Sequence, residues 1–190
     1  MNKKNRISKY LITLIVIVYF FTGSCKKDNE PSLKIGDNFQ GGIIAYILKS
    51  GDPGFNADVQ HGLIAAPTDQ STGIMWWNGS SSITGATATA YGTGNANTNT
   101  IVTMQGAGSY AAKLCSDLVL GIYSDWYLPS KDELFILYTN NQIIGNFASS
   151  SYWSSSEVST GSAFLHGFNS GTQGSGGKGY LANVRAVRAF

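Results

Sequence analysis

The apolar residues of this sequence fall into short runs that are separated by polar, glycine-rich segments. Early in the chain, runs of strand-forming residues predict extended segments at 41–48, 61–67 and 74–79. Later runs predict further strands at 152–157, 163–168 and 180–190. Residues 80–99, between these two groups, are mostly Gly, Ser, Thr, Asn and Ala, so we expect a long loop there.

Helices are predicted between the two groups of strands. Residues 97–104 are compatible with a short helix. Residues 109–118 place several apolar side chains on one helical face, which predicts a second helix. Gly121 is the kind of residue that ends such a helix, because glycine readily adopts the left-handed conformation at a C-terminus.

The clearest local signal is a helix start at Ser130. Ser130 and Glu133 have the spacing of a capping box, in which each side chain accepts a hydrogen bond from the backbone amide of the other residue. Apolar residues follow at helical spacing as far as about Asn140. Ser130 and Glu133 are therefore expected to have structural roles.

Strands at both ends of the chain and helices in its middle predict an α+β fold. A natural arrangement pairs the last strand with the first one in a small, mostly antiparallel sheet. The remaining strands would then form a second, loop-rich β region.

The first residues have the features of an export signal and not those of a segment of the folded domain. Basic residues precede an apolar run at 11–21, which is shorter than the roughly 20 residues of a membrane span. The run is followed by Thr-Gly-Ser-Cys, which resembles the site at which bacterial lipoproteins are cleaved and lipidated. We therefore expect a lipoprotein signal peptide at 1–24, a lipidated Cys25 with a tether at 25–34, and one domain at 35–190.

Net charge argues against a nucleic acid partner. The whole chain carries +2, but residues 1–24 hold four basic and no acidic residues. Their removal leaves nine basic and eleven acidic residues, a net charge of −2. Binding to a polyanion needs clustered Lys and Arg, which the mature chain lacks.

The residues that could support chemistry do not form a recognisable catalytic set. Cys115 is expected to be a buried apolar residue, and with Cys25 lipidated it has no disulfide partner. Asp58 and His61 have a metal-like spacing without a third ligand. The glycine-rich segment 171–179 lacks the spacing of a phosphate-binding loop and is predicted to be a hairpin turn. No catalytic residue, metal or cofactor is therefore expected, and we predict that the chain is not an enzyme.

Several of these stretches, taken together and in order, resemble one known family. They lie at 41–47, 62–67, 111–115, 125–134, 152–157 and 184–190. The chain is similar over about 35–190 to the C-terminal domain of Legionella collagen-like protein, the Lcl C-terminal domain family. The resemblance implies a C-type-lectin-like fold with a small sheet joining the first and last strands, two helices and a loop-rich β region.

Activities known for related folds do not carry over. Some stretches are also similar to formylglycine-generating enzymes, but those enzymes need reactive cysteines near the C-terminus, and no cysteine follows Cys115. Calcium-dependent lectins use a Trp-Asn-Asp motif, of which Trp77-Asn78 is only a part and stands before the helices. The basic patch needed for sulfated polysaccharides is also missing.

Aromatic residues in polar surroundings are the remaining indication of function. Rings among Asn, Ser and Gly are common in sugar and protein recognition, although they are also common in cores. The candidate ligand-binding residues are Trp76, Trp77, Tyr91, Trp153 and Tyr180.

Three charged residues near the C-terminal half are expected to be structural. Glu157 is predicted to accept hydrogen bonds from backbone amides or from Arg185 or Arg188. The two arginines are three positions apart on a predicted strand, so they should point to opposite faces, one structural and one exposed.

The sequence thus predicts a lipid-anchored outer-membrane protein with a non-catalytic binding or adhesion module for a glycan or protein ligand. Periplasmic and surface orientations both remain open, as does the oligomeric state. The alternative is a structural or assembly component of an envelope complex.

Overall fold

The computed structural model describes residues 32–80 and 82–190. The signal peptide expected at 1–24, Cys25 and most of the tether expected at 25–34 lie outside the described residues. Residues 32–190 form one compact unit of their own. In the described part of the chain, no helix has both the length and the apolar character needed to cross a bilayer.

The described part contains nine strands and four helices. In chain order they are β1 (Asn38–Phe39), β2 (Gly42–Ile47), β3 (Gly62–Ala65), β4 (Ser71–Ile74), α1 (Gly94–Gln105), α2 (Ala111–Ser116), α3 (Lys131–Thr139), α4 (Asn141–Ile144), β5 (Ser151–Ser159), β6 (Ser162–Gly167), β7 (Gln173–Gly177), β8 (Ala182–Val184) and β9 (Val187–Ala189). The predicted α+β class is confirmed.

One sheet joins the two ends of the described chain. Its strand order is β1-β2-β3-β9, and all of its pairings are antiparallel. The last strand, β9, therefore pairs with β3. The expected pairing of the last strand with the first predicted strand, 41–48, is wrong, because β3 lies between β2 and β9. Gly62 permits the close approach of β3 to β2, since a Cβ at this position would lie 2.0 Å from the Tyr46 carbonyl oxygen.

The second sheet has the order β4-β8-β5-β6-β7. The predicted extended segment 74–79 is wrong, because β4 ends at Ile74 and the Trp76 amide then turns to the Lys178 carbonyl, 2.9 Å away. The predicted single strand 180–190 is two strands that belong to different sheets. The hairpin turn predicted at 171–179 is also wrong, since most of that segment forms β7.

The helices differ from their predicted bounds at several ends. Helix α1 begins at Gly94, earlier than predicted, and α2 already ends at Ser116. Gly121 does not end α2. With a φ of 63°, it lies in a turn closed by Leu120 and Tyr123, whose amides and carbonyls bond to each other.

The chain buries two hydrophobic clusters that use alternate positions of the same strands. Ile44 and Ile64 face a cluster with three buried tryptophans, whereas Ala45 and Leu63 face a cluster with Leu134. This division follows from the alternation of side chains along a strand. Cys115 lies fully buried in the first cluster, and burial raises the pKa of its thiol. Its expected apolar role is consistent with this position.

Candidate functional site

A cleft of about 300 Å³ opens where the first sheet meets the polar connection that precedes α1. We call it the Tyr91 cleft. It is lined by Leu48, Pro53, Gly54, His61, Gly62, Tyr91, Gly92, Asn95, Asp125, Tyr127, Ala189 and Phe190. The cleft therefore combines segments that are far apart in the sequence.

Two tyrosine rings in the cleft are held in place by their neighbours. The ring of Tyr91 packs against Tyr46 with 5.7 Å between centroids, and the Tyr46 hydroxyl donates to Asp52 at 2.8 Å. The Tyr127 hydroxyl donates to Glu133 at 3.1 Å. Burial raises the pKa of both cleft tyrosines, with the nearby Glu133 carboxylate adding to it, so both stay protonated at neutral pH. Tyr127 is only 4% exposed, so the fixed, uncharged ring that the cleft presents to a ligand is that of Tyr91.

The cleft also has polar groups with free hydrogen-bonding capacity. His61 uses Nδ1 towards the Phe190 carbonyl at 3.1 Å, which leaves Nε2 for a ligand. The Asn95 side-chain oxygen accepts from Asn99 at 2.8 Å, which leaves the Asn95 amide NH₂. The Asp125 side chain is 53% exposed. These groups offer donors and acceptors beside the rings.

Charge in the cleft is close to balanced. Arg188 donates through Nε and Nη2 to the two Asp125 oxygens at 2.7 and 2.9 Å, and this hydrogen bonding holds the pKa of Asp125 below its ordinary value. Neither Lys nor Arg is among the residues that line the cleft. A phosphate or sulfate would therefore find no cation in the lining.

Glu133 holds in place the part of the cleft that contains Tyr91 and Tyr127. The capping box predicted for Ser130 and Glu133 is confirmed, with both of its hydrogen bonds formed. Glu133 also accepts from the Gly92 amide at 3.0 Å, which ties the residue after Tyr91 to α3. Gly94 must be glycine at this contact, because a Cβ there would lie 2.2 Å from Glu133 Oε2.

Glu157 has different partners from those predicted. It bonds neither Arg185 nor Arg188; instead Lys178 forms an ion pair with it, and both side chains are almost fully buried. Its carboxylate also accepts from the amides of Thr84 and Gly85, each at 2.9 Å. Glu157 thus accepts from backbone amides as predicted, but its cation is Lys178, which comes from the glycine-rich segment and directly follows β7.

The prediction that one of the two arginines is exposed is wrong. Arg185 is 1% exposed and Arg188 is 7% exposed. Arg185 lies between β8 and β9 rather than within a strand, and its Nε donates to Asp69 at 2.7 Å. Each arginine therefore has its own carboxylate partner, Asp69 or Asp125.

Two of the aromatic residues predicted to bind a ligand are core residues. Trp76 and Trp153 are 0% exposed. Their indole N–H groups donate to the carbonyls of Ser154 and Ile74 at 2.8 and 2.9 Å. A ligand cannot reach either ring, so these two predictions are wrong.

Trp77 and Tyr180 remain accessible but lie outside the cleft lining. Tyr180 is 54% exposed and meets the Trp153 ring edge-on at 6.3 Å. Trp77 is half-buried near Gly179. Of the five predicted aromatic residues, the structure places only Tyr91 in the cleft.

Most of the residues that line the cleft were not predicted from the sequence as ligand-binding residues. His61 had been weighed as a metal ligand with Asp58 and not as a ligand-binding residue, and among the described residues no group of three His, Cys, Asp or Glu side chains could hold a metal ion. Asp125 and Tyr127 stood in the Asp-Trp-Tyr-Leu-Pro stretch before Ser130, which was a usable signal. The pairing of β3 with β9 brings them to His61, and the Gly92–Glu133 hydrogen bond brings Tyr91 to them.

Comparison with known proteins identifies the family. The sequence model described as the Lcl C-terminal domain matches residues 66–188. The chain belongs to the Lcl C-terminal domain family. All the lining residues of the Tyr91 cleft from Tyr91 to Tyr127 lie within the matched part of this Lcl C-terminal domain.

A solved structure shares the fold. It is the crystal structure of a fimbrial protein from Bacteroides ovatus ATCC 8483, which is 17% identical and superposes with a TM-score of 0.53. The similar region covers 84% of the Lcl C-terminal domain chain but only 45% of the fimbrial chain. No curated protein matches the sequence.

Proposed function

We propose that this Lcl C-terminal domain is a non-catalytic recognition module displayed on the outer membrane, and that its Tyr91 cleft binds a neutral glycan. The observation that carries the proposal is the combination of the fixed, half-buried Tyr91 ring with three polar groups of unused hydrogen-bonding capacity in one concave site. A site of about 300 Å³ is at the small end for ligand pockets, so roughly one or two sugar rings would occupy it.

The chemistry of the cleft suits a sugar better than an anion. A sugar ring has an apolar face that packs on an aromatic ring and hydroxyl groups that both donate and accept. His61 Nε2, the Asn95 amide and the Asp125 carboxylate supply matching partners. A sulfated or phosphorylated ligand would instead meet Asp125 without a cation in the lining.

The finer fold assignment is part of the same proposal. A sheet that joins the first and last strands, followed by helices and a second β region, supports a C-type-lectin-like fold. Structural similarity to a protein described as fimbrial supports surface display. In this proposal Cys25 carries the lipid anchor, which mass spectrometry of the protein from membranes would test by the added mass of the acyl chains.

An envelope assembly role is the second candidate. It is favoured by the likeness to a protein described as fimbrial. In that role the domain would have a protein partner, and the cleft would take a segment of that partner.

A glycan array with the domain spanning residues 32–190, followed by calorimetric titration of any hit, tests the proposal. We expect saturable binding of a neutral glycan that Tyr91→Ala weakens by roughly two- to tenfold, since an aromatic contact is worth roughly 0.5–1.5 kcal/mol. Tyr91→Phe should retain binding because it keeps the ring.

Tyr180→Ala provides the matched control, because it removes an exposed ring outside the cleft. Binding that Tyr180→Ala abolishes and Tyr91→Ala leaves intact would contradict the choice of cleft. A blank array together with co-purification of an envelope protein would favour the assembly role instead. Parallel arrays with a chelator would show whether calcium is needed.

A further inference from the structure

Strand β7 forms one edge of the five-stranded sheet and pairs with β6 alone. The antiparallel register joins Leu165 to Gly174 and Phe164 to Ser175. Just outside β7, the Gly167 amide donates to the Thr172 carbonyl, and the Lys178 amide donates to the Gly161 carbonyl, each at 2.9 Å. These two bonds fix which positions of the ladder point towards β6.

Hydrogen-bonded pairs alternate with non-bonded pairs along an antiparallel ladder. The bonds at Thr172 and Lys178 therefore assign Gly174 and Gly176 to the bonded pairs with β6. The backbone groups of Gln173, Ser175 and Gly177 point away from the sheet. Among the described residues, only the Gly177 carbonyl has a further partner there, the Tyr180 amide at 2.8 Å. The outer side of β7 is thus a row of backbone donors and acceptors.

The other sheet edges in the described chain are shorter or already bonded. β1 has two residues. β4 is interrupted by a register shift between Ser71 and Ile74. β9 exchanges two hydrogen bonds with Tyr127, at 2.8 and 2.9 Å. β7 has none of these features, and no charged residue or proline occurs in 158–177 to block another strand.

We propose that β7 pairs antiparallel with β7 of a second copy of this chain, centred on Ser175. The outward-facing positions map onto themselves about that centre, so Ser175 would lie opposite the partner's Ser175 and Gln173 opposite the partner's Gly177. Such self-complementarity is what a two-fold interface requires. The two five-stranded sheets become one sheet of ten strands.

The neutral charge and the small side chains of the β7 edge favour a second copy of this chain as its partner. Residues 32–190 carry seven basic and nine acidic side chains, so two copies repel each other weakly over most of their surface. The β7 edge is neutral, which lets two copies meet there without opposing charges. The small side chains of Gly and Ser leave the backbone accessible. An edge of five residues buries less than the standard interface of about 1,600 Å², so the dimer should be weak and concentration-dependent.

Disulfide trapping tests the register directly in the domain spanning residues 32–190, which lacks Cys25 and keeps Cys115 buried. In the proposed pair, the two Ser175 Cα atoms lie about 5.5 Å apart, within disulfide range. Ser175→Cys should therefore form a covalent dimer under mild oxidation. Gln173→Cys is the matched control, because its Cα atoms would lie roughly 14 Å apart and should not react.

A second variant keeps the test independent of oxidation. Ser175→Pro removes an outward-facing amide that β6 does not use, so the fold should persist while self-association is lost. Ser175→Ala keeps that amide and should associate as the unchanged domain does, measured by sedimentation velocity over a concentration series. A monomer at all concentrations, or equal cross-linking of Ser175→Cys and Gln173→Cys, would overturn the proposal.

Discussion

Two buried glutamates bind the polar connection that precedes α1, and the two differ in whether a cation accompanies them. Glu157 on β5 binds the amides of Thr84 and Gly85 near its start, and Glu133 on α3 binds the Gly92 amide near its end. Glu157 also has a buried cation, Lys178. Glu133 has only uncharged donors, the amides of Gly92 and Ser130 and the Tyr127 hydroxyl.

This difference shifts the pKa values of the two carboxyls in opposite directions. Burial alone would raise the pKa of Glu157, but the Lys178 ammonium and the backbone amides outweigh it, and the net pKa lies below its ordinary value. At Glu133 burial dominates over the hydrogen bonds and raises the pKa. A cation therefore allows a buried carboxyl to stay charged, whereas amides alone do not compensate fully for lost hydration.

The largest expected effect comes from removing that cation. Lys178→Met leaves the buried Glu157 charge without its cation, and breaking such a pair from one side costs about 3–5 kcal/mol of unfolding free energy. Urea unfolding followed by circular dichroism measures this loss. The double variant Lys178→Met/Glu157→Gln removes both charges and should recover a large part of it. A single variant as stable as the double one would show that Glu157 is not charged in the folded protein.

Glu133→Gln should cost less, because no buried cation is left unpaired. The variant keeps one side-chain oxygen as an acceptor and loses the other, so we expect about 1–2 kcal/mol from the unsatisfied donors. The same urea experiment measures it. The cleft should also loosen, since Gly92 follows Tyr91, and weaker glycan binding by Glu133→Gln would support that link. A loss of unfolding free energy larger than that of Lys178→Met would contradict the expectation that an unpaired buried charge costs more than an unpaired amide.

The two glutamates should also give opposite pH dependences of stability. The pKa of Glu157 is lowered in the folded state, so its contribution is present above the ordinary value of 4.5 and is lost as pH falls through the folded pKa. The pKa of Glu133 is raised, so its contribution is present below 4.5 and is lost as pH rises through the folded pKa. Unfolding curves of Glu157→Gln and Glu133→Gln across pH 3 to 7 should each lack one of the two slopes.

His166 extends the comparison to a buried group with no polar partner. It is 0% exposed, its ring lies 4.3 Å from that of Tyr138, and neither ring nitrogen has a hydrogen-bond partner in the described structure. Burial lowers the pKa of His166, so stability should fall as pH drops below the ordinary value of 6.5 towards the folded pKa.

His166→Phe removes the unpaired nitrogens and should stabilise the protein by about 1 kcal/mol, with loss of this pH dependence. Thermal unfolding at pH 7.5 and pH 5.5 measures both effects. Tyr138→Phe is a useful control, because it alters a neighbouring ring without removing the titrating group. Unchanged pH dependence in His166→Phe would assign the effect to another residue.

Local sequence patterns predicted much of the secondary structure. The capping box at Ser130 was predictable because its two residues are three apart and bond each other's amides whatever surrounds them. The late strands at Tyr152 and Ala163 were predictable because apolar and aromatic runs between turn residues favour strands. The strand β7 was missed because Gly and Ser have low strand propensity and pair here through backbone atoms alone.

By itself, the sequence determined an α+β chain with little charge, a capped helix at Ser130 and strands at both ends, since these features depend on neighbours in the chain. The tertiary structure decided which aromatic rings are reachable, burying Trp76 and Trp153 and leaving Tyr91 in a cleft. It also decided the ion pairs, because the partners of Lys178 and Arg188 are 21 and 63 residues away. Strand register, which no local pattern specifies, brings those residues together.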